Sequence, residues 1–237
     1  MPLQIDILSL FPAYFQGPFD VSMIKRAKEA ALLDLRLIDI RDFADNKHRR
    51  VDDRPYGGGP GMVLCPEPVT KAIRSVKRPQ SHVIYLSPQG IPLTARKSFD
   101  LAQKEHLILL CGHYEGVDER ALKDVDEEIS IGDYVLTSGC AAAIVLVDAV
   151  SRFVPGVIGH PDAVQEDSFQ NGLFEGPHFT GPLEFEGELV PSVLREGNHA
   201  RIGQYRREEA IKKTRRVRPE LLEIFEKEKH REPLTNH

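Results

Sequence analysis

Up to about residue 158 the 237-residue chain alternates β-rich runs with helical stretches, and this rhythm restricts its fold more than any other feature. Residues 3–10 (LQIDILSL) alternate apolar and polar side chains as a half-buried strand does. A helix is expected over 22–33 with Ser22 as its cap, then a second strand over 35–40. Residues 48–61, rich in glycine and proline, read as a loop. Further β-rich runs lie at 83–86 and 107–111, with a helix over 94–104 between them, and 129–136 holds short extended pieces broken by Gly132. Residues 139–153 read as a helix, apolar on most sides and so largely buried. The alternation predicts an α/β domain with a mainly parallel sheet.

The chain changes character over 157–187, which is rich in Gly, Pro, Asp and Glu and reads as a linker or ordered loop. Two helical patterns follow, 202–215 and 219–229, with Pro219 suited to a first helical position. The expected organisation is a first domain over 1–160, a linker over 161–172 and a small helical domain over 173–237. Net charge is −5, yet 195–218 holds nine Lys or Arg against three Glu, so an otherwise acidic protein can grip a polyanion through this one segment. A solvated helix face explains the same run. The longest apolar run, 141–147, stops at Asp148, far short of the roughly 18 residues that span a bilayer, and no secretory leader is legible. Cys65, Cys111 and Cys140 are widely spaced, and they suggest neither a disulfide framework nor a zinc site. A reducing cytoplasm is the expected compartment.

Three strand-like runs end in polar, glycine-bearing turns: LSPQG (86–90), CGHYEG (111–116) and IGDYVL (131–136). In open parallel sheets ligands sit outside the carboxyl ends of strands, so these turns can converge on one pocket, with Tyr85 or Tyr114 packing nearby. They can equally be ordinary tight turns. The loop YGGGPG (56–61) lets backbone approach a ligand but lacks the Lys-Ser/Thr of a phosphate loop and the spacing of a dinucleotide fold. Just before it, VDDRP (51–55) offers two acids and an arginine, suited to a polar substrate or to a surface salt bridge. Asp167 can act as a base only if placed against the proton it removes, and otherwise reads as a helix cap or a loop residue; Arg152 is a fixed cation able to stabilise an oxyanion. His113, His178 and His199 lack metal-ligand spacing, and no metal site is read.

Taken in order, VDDRPYGGGPGM (51–62), YLSPQG (85–90), CGHYEGVDER (111–120), EISIGDYVL (128–136), DAVSRFVPGVIG (148–159), EDSF (166–169) and GNHA (197–200) resemble the bacterial tRNA (guanine-N1)-methyltransferases of the SPOUT class. The resemblance covers nearly the whole chain. It implies a SPOUT-type α/β domain with a deep C-terminal trefoil knot made by the strand-end turns, a small helical C-terminal domain, and a homodimer whose active sites are shared between subunits. It also implies S-adenosylmethionine bound at Tyr85, Leu86, Ser87, Pro88, Gly112, Tyr114, Glu115, Gly116, Ile131, Gly132, Tyr134, Leu136 and Gly139. The implied substrate is tRNA with two adjacent guanines at the 3′ edge of the anticodon, methylated on the guanine immediately 3′ of it, with no membrane involved. Asp167 is then the base at N1 and Arg152 the stabiliser of charge on O6. Asp52, Glu115 and His178 resemble residues that contact the target, and Arg195, Arg206 and Arg207 are the phosphate candidates of the basic segment. The family is associated with a magnesium requirement, although no magnesium cage is legible.

Three stretches depart from the family pattern. His113 stands where arginine is usual. Residues 138–143 (SGCAAA) replace Gly-Gly-Glu-Leu-Pro-Ala, and 175–182 (EGPHFTGP) replace Asp-Cys-Pro-His-Tyr-Thr-Arg-Pro. Two other readings use the same residues: a related knotted enzyme acting on a ribose 2′-hydroxyl, and an RNA-binding protein without catalysis, for which 138–143 is the support.

Overall fold

The computed structural model describes residues 2–159 and 163–229. The chain divides into two compact units, Met1–Gly159 and His160–His237. Residues 160–162, where the sequence sets the end of the first domain and the start of the linker, lie outside the described residues, as do 230–237.

The first unit runs β1 (Leu3–Ser9), α1 (Ser22–Glu29), β2 (Leu33–Asp39), a short hairpin of β3 (Asp52–Asp53) and β4 (Val63–Leu64), α2 (Pro66–Val76), β5 (Ser81–Pro92), α3 (Ala95–Ala102), β6 (His106–Cys111), β7 (Glu127–Ser130) and α4 (Gly139–Ser151). Five strands form one sheet in the order β2-β1-β6-β5-β7, and every pairing in it is parallel. The sheet is therefore the parallel α/β arrangement that the alternation predicts.

Both faces of the sheet are covered, as parallel sheets require. Side chains alternate across a strand. Leu3, Ile5 and Ile7 of β1 and Leu107 and Leu109 of β6 join a core with α1, Leu101 of α3 and the apolar side of α4. Their neighbours Leu8, Ile108 and Leu110 face the opposite way, onto Val69, Ala72 and Ile73 of α2. The central strand β6 is buried along its whole length, which is why its sequence is an unbroken apolar run.

Three local readings are corrected. Helix α1 ends at Glu29 rather than 33, because Ala31 turns the chain through a left-handed conformation (φ 54°) so that Leu33 can pair with Leu3. Ser22 is the first residue of that helix and makes no capping hydrogen bond. Strand β5 does not stop at the SPQG turn but continues through it as a bulge. Leu86 and Ile91 both pair with Ile129, so residues 87–90 are looped out between them. A Cβ on Gly90 would lie 2.4 Å from the Ile129 backbone nitrogen, so only glycine fits where the bulge returns to β7. Finally, 131–136 forms no strand: β7 ends at Ser130, and the extended loop 48–61 contains the β3 half of a hairpin.

A buried polar network ties four strands together at the opposite edge. Asp6 of β1 is fully buried. Its carboxylate accepts from Arg36 of β2 at 2.7 and 2.6 Å and pairs with His106 Nε2 of β6 at 3.0 Å. Ser81 Oγ of β5 accepts from Arg78 N and meets His106 Nδ1 at 2.7 Å. The Asp6 carboxylate can only accept, so the ring proton of the neutral imidazole sits on Nε2 facing it, and Ser81 donates to the bare Nδ1. The buried charge is thus paired on both oxygens, the condition under which such a charge is tolerated.

The second unit contains α5 (Ala163–Glu166), a hairpin of β8 (Glu184–Phe185) and β9 (Glu188–Leu189), α6 (His199–Val217) and α7 (Pro219–Lys229). Helix α6 begins three residues earlier than its apolar pattern indicates because Asn198 caps it, accepting from Arg201 N at 3.2 Å. The segment after α5 is pinned rather than open: Phe169 N donates to Leu173 O at 2.7 Å, and Phe174 N to Thr214 Oγ1 at 3.0 Å.

Burial holds the His106 imidazole below its ordinary pKa, although Asp6 beside it pulls the other way. The folded protein therefore keeps His106 neutral where the unfolded chain binds a proton, and stability falls as pH drops below the ordinary histidine value of about 6.5. Chemical denaturation from pH 7.5 to 5 is expected to show this decline, and His106→Gln to make it shallower.

Candidate active site

The bulge of β5, the turn after β6, the loop after β7 and the first turn of α4 meet at the carboxyl edge of the sheet. They enclose a cleft of about 440 Å³, within the size of small-molecule sites. All thirteen positions for which the resemblance implies donor contact, from Tyr85 to Gly139, line it. The three turns thus converge, as parallel strands allow.

Main-chain approach builds the walls. Gly139 N donates to Gly112 O at 2.8 Å, joining the first residue of α4 to the end of β6. A Cβ on Gly139 would stand 3.0 Å from both Cys111 Cα and Gly112 N. Ser138 caps α4 through its hydroxyl, which accepts from Cys140 N at 3.3 Å. Tyr85 packs inside the wall against Gly112, and burial, with the charge of Glu128, pushes its phenol up, so it stays neutral. Tyr114 is the opposite case: its backbone is left-handed (φ 58°) and its ring is exposed. Tyr134 Oη donates to Ile131 O at 3.2 Å and so folds its loop back on itself.

The lining carries Glu115, Glu119 and Glu128 and no lysine or arginine. The cleft is thus built for a cationic or neutral ligand rather than for phosphate. Behind it, Cys140 Sγ lies 3.2 Å from Ser9 Oγ. Hydrogen bonds from Cys111, Ser9 and Ser138 pull Cys140 down to about 6 against the effect of burial, whereas burial pushes Cys111 well up.

His113, the departure from the family's arginine that the resemblance sets at the pocket and its rim, lines the cleft. Its ring packs edge-on against Phe11 and Tyr114, at centroid distances of 5.1 and 4.4 Å. Its Nδ1 is buried with no hydrogen-bond partner among the described residues. Burial and the nearby charge of Arg41 keep the imidazole neutral, with Asp52 opposing. His113 lies inside the CGHYEG turn. Gln89, Thr137 and Ser138 also line the cleft and were flagged by nothing but their neighbours.

The remaining candidates lie elsewhere. Asp52 sits on β3; the salt bridge of its loop is Arg50–Asp53 at 2.6 Å, and Asp52 is not part of it. Arg152 is the C-cap of α4, the end opposite the cleft. The other candidates belong to the second unit. Asp167 is half-buried in the bend after α5, with its carbonyl accepting from Gln170 N; of its two structural readings the loop residue holds and the helix cap does not. His178 is exposed and 3.3 Å from Glu175. Arg195 and Arg206 are exposed, and Arg207 lies over the Phe225 ring at 5.9 Å. In the basic segment Arg201, Lys212 and Arg218 are paired with Glu196, Glu209 and Glu220, so part of its charge is already spent.

Comparison with known proteins decides between the readings of these residues. Residues 3–224 match the family model described as tRNA (Guanine-1)-methyltransferase TrmD. The chain belongs to this family. It is 65% identical over 219 residues to the tRNA (guanine-N(1)-)-methyltransferase of Protochlamydia amoebophila, covering 92% of this chain and 99% of that protein. It is 54% identical to the protein of the same name from Dictyoglomus turgidum, covering 93% and 90%. A third relative of that name, from Chlamydia pneumoniae, is 58% identical over 92% of this chain, which spans 61% of the relative's length. The enzyme methylates N1 of guanine in tRNA. The ribose-methylating and non-catalytic readings are set aside.

Among the described residues no three His, Cys, Asp or Glu side chains converge as a metal-ligand set, and no helix is long and apolar enough to cross a membrane. The residues present do not form a magnesium cage, and no step below depends on one.

Adding a methyl at Gly139 forces α4 away from the end of β6. Gly139→Ala is expected to fold and to lose roughly ten- to a hundredfold in kcat/KM for tRNA methylation, the scale of a sub-ångström to ångström misplacement at a reacting centre. Steady-state kinetics with a tRNA transcript measures it.

Proposed function

We propose that the cleft holds S-adenosylmethionine and that the enzyme methylates N1 of the guanine immediately 3′ of the anticodon, in tRNAs where another guanine precedes it. The observation that carries the donor assignment is the lining. S-adenosylmethionine bears a sulfonium and an ammonium against one carboxylate, a net cation, and the cleft offers three glutamates with no basic side chain. Backbone groups of the three turns, from Tyr85 to Pro88, Gly112 to Gly116 and Ile131 to Gly139, read the rest of the molecule. S-adenosylmethionine supplies an electrophilic methyl group when bound.

The protein's own task is the guanine. N1 carries a proton and attacks only after losing it. Asp167 accepts that proton, and Arg152 stabilises the charge that appears on O6 as it leaves. Glu115, Asp52 and His178 orient the target. The neighbouring Phe169 has left-handed backbone (φ 77°), a conformation aromatic residues rarely hold without a functional reason. Arg195, Arg206 and Arg207 of the second unit take phosphates, so that unit is the tRNA-binding domain, with 161–172 as the linker between it and the donor-binding domain. We further place the family's trefoil knot at the three converging turns.

The length of α4 supports a shared active site. Thirteen residues at 1.5 Å each put Arg152 about 20 Å along the axis from Gly139, beyond the reach of an arginine side chain into its own cleft. Arg152 therefore serves the cleft of a second copy of the chain in a homodimer. A cytoplasmic setting follows from the tRNA substrate.

The test is methyl transfer from labelled donor to a tRNA with two guanines at the anticodon's 3′ edge. Asp167→Ala is expected to bind donor normally and to transfer no methyl. Arg152→Ala is expected to lose roughly a hundred- to a thousandfold in kcat, the scale of removing an oxyanion stabiliser. Arg152→Ala and a donor-site variant, Gly139→Val, are then co-refolded. A shared site restores roughly a quarter of wild-type activity, since half the dimers are mixed and each has one intact site. No recovery means that Arg152 acts in its own protomer.

A further inference from the structure

The hairpin of β3 and β4 is built around a feature the reaction has not used. Its connecting loop, 54–62, carries Tyr56 with 99% of its surface exposed, so the whole ring stands in water. Beside it Arg54 is also exposed and makes no ion pair among the described residues, unlike Arg49 and Arg50, which are held by Asp42 and Asp53. The loop is shaped rather than slack. Gly57, Gly58 and Gly59 all have left-handed backbone, and a Cβ on any of them would meet nothing within 4 Å. These glycines are needed for the path of the chain, not for packing. Pro55 and Pro60 fix the backbone on either side.

The base of the hairpin is fastened to the wall of the cleft. Glu115 N donates to Met62 O, Leu64 N to Gly116 O and Asp118 N to Leu64 O, each at 3.0 Å. Gly61 packs directly on the Glu115 side chain, where a Cβ would lie 2.4 Å from its carboxylate. An arm fastened at its base thus leaves the cleft wall beside Glu115 and ends in an aromatic ring and a guanidinium that has no ion pair among the described residues. A nucleobase offers a flat face for the ring and the adjoining phosphate a partner for the guanidinium, the combination that grips single-stranded nucleic acid.

We propose that Tyr56 is a stacking platform for a base of the tRNA next to the methylated guanine, with Arg54 on the adjoining phosphate. The platform lies in the first unit, so tRNA is held by both units and not by the basic α6 alone. It rests on tRNA being the substrate and is independent of the donor assignment.

The experiment measures binding of fluorescently labelled tRNA to wild type, Tyr56→Ala, Tyr56→Phe and Arg54→Ala, with sedimentation mass and donor calorimetry alongside. Tyr56→Ala is expected to raise the tRNA Kd roughly ten- to a hundredfold, the range of one base–aromatic stack. Tyr56→Phe should stay within about twofold, since the ring is kept. Arg54→Ala should lower the slope of log affinity against log salt by about one. Donor binding and thermal stability should not move, because neither side chain is packed. Unchanged tRNA affinity in Tyr56→Ala overturns the platform. So does an equal loss in Tyr56→Phe, which would point to the hydroxyl. A fall in oligomer mass with tRNA affinity intact would assign the ring to a contact between copies, and also overturns it.

Discussion

The approach of α4 to the end of β6 is the contact on which the site depends. Gly139 N reaches Gly112 O, and the helix begins on top of Cys111 with no side chain between them. This seats the first turn of α4 against the two glycine-bearing turns and gives the cleft its floor. A second close approach of the same kind, Gly90 on the backbone of β7, returns the bulge of β5 to the sheet and holds Ser87, Pro88 and Gln89 out over the opening. Neither contact is energetically large. Their value is positional, since both fix main chain, and main-chain groups are what the cleft presents.

The two edges of the sheet divide the labour. At the amino edge, Asp6, Arg36, Ser81 and His106 lock four strands with a satisfied polar network. At the carboxyl edge the strands end in glycines, a left-handed tyrosine and an imidazole nitrogen left without a partner. The paired buried charge thus lies at one edge, and the unpartnered His113 Nδ1 at the other. Such a division lets the reactive edge keep conformations that would be costly if the whole sheet depended on them.

Much of this was legible in the sequence. The parallel sheet followed from the alternation of elements, and the wholly buried β6 from its unbroken apolar run. The three turns announced themselves by glycine after a β-rich run. What could not be read were features set by pairing. SPQG looks like a turn that ends a strand, and only the register, with Leu86 and Ile91 both opposite Ile129, makes it a bulge within one. The short β3 and β4 lacked any period because a two-residue strand has none. The resemblance set His113 at the pocket rim, but its packing between the rings of Phe11 and Tyr114 depends on tertiary contacts that the sequence does not show. Asp-Ser-Phe has a cap's composition, which left Asp167 open between cap and loop; the helix precedes it, and it is a loop residue.

The departures from the family pattern fall where this architecture can absorb them. Residues 138–143 lose a glycine, a glutamate and a proline relative to the usual run, yet the geometry needed from them survives. Ser138 supplies the cap, Gly139 the close approach, and Cys140 fills the buried place beneath, hydrogen-bonded to Ser9. A glutamate there would need partners for a longer side chain, whereas the short Cys140 side chain already has Ser9 and Cys111 as hydrogen-bond partners. Ala142, in the usual proline's place, and Ala143 are both buried against the apolar core. The same economy applies at His113: a neutral imidazole packed between rings replaces a cation at a rim where Arg41 already supplies positive charge. At 113 and 138–139 the main chain thus keeps its path around the cleft although the side chains depart from the usual run.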